Sequence, residues 1–148
     1  MKLNFKSYAF CLLAVIFIVS VLCSCSNHSE QKGCYPVEEQ SCFDGYEITN
    51  DRIKFRYSIH FVNELDSQCD VAIYAAFDES ELSDWVKNDD ADSKENQFEG
   101  LNEDCSDRLT VKLKAHESKD VIFTFEGKYL GGKVNENLSF PTDIILLG

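Results

Sequence analysis

Basic residues are scarce in this chain of 148 residues: 14 lysines and arginines face 26 aspartates and glutamates, a net charge of -12. Affinity for the phosphate backbone of nucleic acids comes largely from clustered Lys and Arg, so this balance argues against nucleic acid as a partner. Length is also lacking. A TIM barrel or a two-domain dinucleotide enzyme needs roughly 200 residues or more, which leaves room for one domain. Histidine is confined to His28, His60 and His116. There is no Gly-x-Ser-x-Gly, no His-Glu-x-x-His, no phosphate-binding glycine-rich loop and no cysteine with an obvious histidine partner. Carboxylates abound, but without a pocket they nominate no general acid and base. The expectation is a non-catalytic protein that needs no cofactor.

What is present begins with a segment that reads as an export signal. Lys2 and Lys6 precede an uninterrupted apolar run from Tyr8 to Val19, followed by small residues. The run is shorter than the ~20 apolar residues a spanning helix needs. At its end, Leu22-Cys23-Ser24-Cys25 resembles the lipobox of bacterial lipoproteins, with an apolar residue at minus three and a small one at minus one before the cysteine. The resemblance implies that residues 1–24 are removed and that Cys25 becomes an acylated N-terminus, carrying a diacylglyceryl group and an amide-linked acyl chain such as palmitate. Several chains together anchor stably, whereas one binds only marginally. The implied partner is therefore the membrane, through lipid at Cys25, and the implied location is the cell envelope. By the same resemblance, Ser26 after the cysteine points to the outer membrane if the organism has two membranes. Loss of Lys2 and Lys6 moves the net charge from -12 to -14.

Of the seven cysteines, Cys11 and Cys23 leave with the signal and Cys25 takes the lipid. Cys34, Cys42, Cys69 and Cys105 remain, an even number in an oxidising compartment, which reads as two disulfides with three pairings open. The preferred pairs are Cys34 with Cys42, a short staple, and Cys69 with Cys105, a link across a polar insertion. Metal ligation by these cysteines is disfavoured by the lack of any Cys-x-x-Cys.

Residues 25–44 are polar and aperiodic and read as a tether; residues 45–148 read as the folded domain. Ile53, Phe55, Tyr57, Ile59 and Phe61 alternate with polar residues, a period of two that places all five on one face of a strand. Val71, Ile73, Ala75 and Phe77 repeat the pattern after a polar turn at 63–68, so 53–77 is expected to form an antiparallel hairpin. Leu109, Val111 and Leu113, then Val121, Phe123 and Phe125, make two more strands about a turn at 115–119, and Ile144 to Leu147 makes a last one. With Tyr46 to Thr49 added, six or seven strands fit the domain. The fold class expected is all-β, an Ig-like antiparallel β-sandwich.

Residues 78–107 differ in kind: twelve carboxylates are relieved only by Lys87 and Lys94. This stretch reads as one long acidic insertion that carries a short helix over 79–87, with Leu82, Trp85 and Val86 on one face. Three candidate sites follow. Asn88, Asp90, Asp92, Asn96 and Glu99 match positions one, three, five, nine and twelve of a calcium loop, although Ser93 replaces the turn glycine. A solvated charged loop explains the same residues without a metal. Trp85 is a candidate anchor for a protein or glycan partner, or else packs the helix onto the sheet. Lys54, Arg56 and His60 on the outward strand face either receive an anion or pair with nearby carboxylates. Asp89, Asp90 and Asp92 are the carboxylates singled out for interaction.

Together these features describe a lipid-anchored envelope protein that acts as a non-catalytic binding or interaction module. The alternative is an immunity protein or inhibitor that steers its acidic loop onto a basic toxin or enzyme.

Overall fold

The computed structural model describes residues 33–90, 94 and 96–147. The expected signal, Cys25 and residues 26–32 of the expected tether lie outside the described residues, as do Asp92 and Ser93. What is described is nearly all β. Two antiparallel four-stranded sheets face each other as a β-sandwich.

The first sheet contains β1 (Cys34–Thr49), β2 (Arg52–Asn63), β7 (Ser118–Tyr129) and β4 (Val86–Lys87), in the order β1-β2-β7-β4. The second sheet is centred on β3 (Cys69–Ala76). It pairs with β5 (Gln97–Glu99) and β6 (Val111–Leu113) along one edge and with β8 (Asp143–Leu147) along the other.

The period of two fulfils its role in burial. Ile53, Phe55, Tyr57, Ile59 and Phe61 are all buried, and so are Val121, Phe123 and Phe125 on the strand beside them. Register puts Phe55 opposite Phe125 and Tyr57 opposite Phe123. The Phe55 ring meets Phe77, Trp85, Phe98 and Phe125 with centroids 5.3–5.5 Å apart, mostly edge to face. That geometry brings the positive ring edge to the negative face of its neighbour.

Pairing differs from the expectation in three places. First, 53–77 is not a hairpin: β2 pairs with β1 and β7, while β3 lies in the opposite sheet. Both strands aim their apolar faces at one core, and a sandwich satisfies that by facing them across the core as well as by pairing them side by side. Second, residues 34–44 are not tether. They form the first part of β1, joined to β2 by a tight turn at Asn50 and Asp51, where Asn50 takes φ 56°. Their pattern is broken by bulges between Val37 and Cys42 and between Phe43 and Gly45. A bulge inserts unpaired residues and shifts the alternation, which conceals a strand from a period-two reading.

Third, the acidic insertion is structural. Its helix, α1 (Glu79–Leu82), is a single turn capped by Asp78, whose carboxylate accepts the Ser80 N–H at 2.8 Å. The chain then runs through β4 on the first sheet and β5 on the second. The Gly100 N–H donates to the Ile73 carbonyl at 2.9 Å, and Leu101 exchanges two backbone hydrogen bonds with Thr124. Residues 97–101 thus pass from one sheet to the other and close one side of the sandwich. Gly100 is required at this crossing because a Cβ there would lie 2.6 Å from the Phe123 ring and 2.8 Å from Ile73. Leu82, Trp85, Val86 and Phe98, all from the insertion, belong to the core.

Candidate functional site

The insertion brings several of the residues singled out from sequence close to β2, but as ion pairs and turn contacts. Arg52 pairs with Asp89 and lies 3.4 Å from Glu126. Lys54 donates to the Asp104 carbonyl at 3.2 Å, Arg56 lies 3.5 Å from Asp44, and His60 Nδ1 lies 2.7 Å from Asp120. The basic stripe on the outer face of β2 therefore meets carboxylates of the first sheet and a carbonyl of the insertion. Such surface pairs contribute little individually, about 0–1 kcal/mol.

Three residues of the calcium frame are engaged in other bonds. Asn88 donates its side-chain amide to the Gln97 carbonyl and accepts the Asp90 N–H at 2.9 Å. Asn96 donates to the Phe77 carbonyl at 2.9 Å, and Glu99 pairs with Arg108. Among the described residues no three His, Cys, Asp or Glu side chains converge as metal ligands. Asp92 lies outside them. Asn88, Asp89, Asp90 and Glu99 instead line a hollow of about 280 Å³ beside Arg52 and Glu126.

Of its two expected roles, Trp85 takes the packing one. It is 1% exposed, stacked edge-on against Phe55, with its indole N–H donated to the Glu81 carbonyl at 2.6 Å. Its ring completes the core, which leaves no face for a partner.

A larger concavity lies where sequence reasoning placed a tether. The β1 bulge and residues 136–140 enclose an open groove of about 620 Å³. Glu38, Glu39 and Glu136 stand along its walls, with Phe43, Phe140 and Tyr57 between them. Local structure explains how each wall is held. Ser41 donates to the Val37 carbonyl at 2.7 Å and accepts the His60 N–H at 3.0 Å, so its hydroxyl replaces the backbone partner that the bulge removes. On the other wall, the Glu81 carboxylate of α1 accepts both the Ser139 N–H at 2.9 Å and the Ser139 hydroxyl at 2.7 Å. Tyr57 lies beneath, with its hydroxyl 3.4 Å from the Leu138 carbonyl. Burial, then the negative surroundings of Cys42, Glu38 and Glu81, push the Tyr57 phenol up to about 12. It stays a neutral donor at physiological pH. The signal available in the sequence was the Glu38-Glu39 pair ahead of Phe43, which carries no period.

Ser41 is bonded to backbone, and His60 turns its ring to Asp120. His116 lies 3.0 Å from Asp66 on another turn.

No disulfide links Cys34, Cys42, Cys69 and Cys105 in the structure. The preferred pairs are ruled out by register. Cys34 faces Asn63 and Cys42 faces Ser58, five residues apart on β2. That is roughly 16 Å at strand rise, against a Cα separation of up to ~7 Å for a disulfide. Cys105 sits beside Lys54 at the far end of β2, whereas Cys69 begins β3 opposite Leu113. Instead, Cys34 lies near Cys69, and both pack half-buried against the core.

No model of a known protein family, no curated protein and no solved structure matches the chain. No helix among the described residues is long and apolar enough to cross a membrane.

Proposed function

We propose that this chain is a bacterial lipoprotein, anchored in the cell envelope through lipid on Cys25, that acts as a non-catalytic binding module. The observation that carries the binding reading is the groove between the β1 bulge and residues 136–140. Three carboxylates and three aromatic rings line it, and no basic side chain does. A basic segment of a protein partner suits this chemistry: cationic groups meet Glu38, Glu39 and Glu136 while apolar stems cover Phe43 and Phe140. The lipobox-like Leu22-Cys23-Ser24-Cys25 supports the anchor, and it leaves eight residues between Cys25 and Cys34 as a short tether.

A second reading, an immunity protein or inhibitor of a basic toxin or enzyme, uses the same attraction. The net charge of -14 without the signal favours it, because a strong field of one sign raises the association rate with an opposite one. Here the groove joins the carboxylates of 78–107 as contact surface.

Two measurements test the proposal. Metabolic lipid labelling with membrane fractionation should show acylation that Cys25→Ala abolishes; continued acylation of that variant rejects the anchor. Lys- and Arg-rich peptides titrated onto the full-length chain in detergent should bind with salt-dependent affinity, about tenfold weaker for Glu38→Gln/Glu39→Gln/Glu136→Gln. Equal binding by the variant, or preference for a neutral glycan, rejects the groove as a cationic site.

A further inference from the structure

We propose that Cys34 and Cys69 are joined by a disulfide that locks the two sheets together where the chain enters the fold. The oxidising surroundings follow from the exported reading above; the pairing follows from geometry alone. Cys34 is the first residue of β1, the edge strand of the first sheet, and Cys69 is the first residue of β3, the central strand of the second. These strands share no pairing, yet their ends meet. Asn63, directly opposite Cys34, donates its side-chain amide to the Leu113 carbonyl at 3.3 Å, and Leu113 lies directly opposite Cys69. Both cysteines pack half-buried against the core, on either side of the Asn63–Leu113 contact. The other two thiols are far away: Cys42 is roughly 16 Å along the strand and Cys105 roughly 30 Å.

The chemistry balances by exchange. A thiolate at one position attacks an incoming disulfide, that of an envelope oxidoreductase or of oxidised glutathione, and forms a mixed disulfide. The second thiol then displaces it. One S–S bond forms and one breaks, and the two electrons and two protons of Cys34 and Cys69 end on the two thiols of the reduced partner. Burial first, then the hydrogen bond and charge of Cys69, push the Cys34 thiol up to about 12, so it is a slow nucleophile once the sandwich has closed. Exchange therefore accompanies folding.

The position gives the bond a mechanical consequence. Tension from a lipid-bound tether arrives at Gly33 and would peel β1 from β2 one pair at a time, starting at Cys34 and Asn63. A bond to Cys69 transfers that load to β3, which is paired along both edges.

The test uses the full-length chain, isolated from envelopes with free thiols alkylated before lysis. Digestion after Glu separates Cys34, Cys42, Cys69 and Cys105 onto different peptides. Non-reducing mass spectrometry should find Cys34 linked to Cys69, with Cys42 and Cys105 alkylated; Cys34 linked to Cys42 or Cys105 overturns the pairing. A parallel sample is reduced, unfolded and refolded in a glutathione redox buffer. The Cys34–Cys69 link in the buffer but not in cells upholds the geometry and rejects the exported reading, whereas its absence from both rejects the proposal. Reduction should lower the urea midpoint of the wild type and leave that of Cys34→Ser/Cys69→Ser unchanged.

Discussion

The side-chain amide of Asn63 lies 2.8 Å from the carbonyl oxygen of Lys114, and this contact joins the end of one sheet to the end of the other. Asn63 is fully buried, and it uses both halves of its amide. The nitrogen also donates to Ser67 at 2.9 Å and to Leu113, and the oxygen accepts the Leu65 N–H at 3.0 Å. One side chain thus holds the turn that carries the chain from β2 across to β3.

Removing it leaves carbonyls and an N–H without partners in a dry corner. Asn63→Ala should cost about 3 kcal/mol, because each orphaned buried group loses its hydrogen bond without regaining water. Asn63→Asp keeps the acceptor but turns a carboxylate toward three carbonyls, so it should be the worse of the two at neutral pH and recover in part on acidification. Urea unfolding of both variants at pH 5 and 7 checks the order.

Gly100 tests whether the insertion is part of the fold. Gly100→Ala drives a methyl group into Phe123 and Ile73 and should destabilise by about 1–3 kcal/mol, as overpacking does. Phe123→Leu removes the nearest contact. The double variant should therefore be less destabilised than the sum of the single ones, and a double-mutant cycle measures that coupling. If the insertion were a separate solvated loop, Gly100→Ala would be silent.

Alkaline pH should weaken the fold over a defined window. The Cys34 thiol, ordinarily near 9, and the Tyr57 phenol, ordinarily near 10, are both pushed up to about 12 in the folded chain, chiefly by burial. The unfolded chain therefore releases these protons first. Their stabilisation is complete below pH 9 and is lost as pH rises from 9 to 12. In the oxidised protein Cys34 has no proton to lose, so the decline should begin nearer pH 10. Tyr57→Phe should remove the later part. Urea midpoints from pH 8 to 11.5, with and without reductant, separate the two.

Alternation along 53–61, 71–77 and 121–125 was enough to establish strands, their inward faces and an all-β class, because side-chain direction in a strand is a property of neighbouring residues. The interaction candidates were less legible. For Trp85 the sequence left anchor and core packing both open, because Phe55, which meets its ring edge-on, comes from a strand about 30 residues away. The groove went unseen because its walls, the β1 bulge and residues 136–140, carry no period and lie about 100 residues apart.

The sequence by itself determined the composition of the core and the acidic balance. Only the tertiary structure decided which strands are paired, that residues 78–107 weave the two sheets together, and that Cys34 meets Cys69. The physical reason is that burial requires each apolar face to find a partner but does not specify which one. That choice depends on turns such as Asn63, on bulges such as the one at Ser41 and on the close approach at Gly100, whose effects are felt far along the chain.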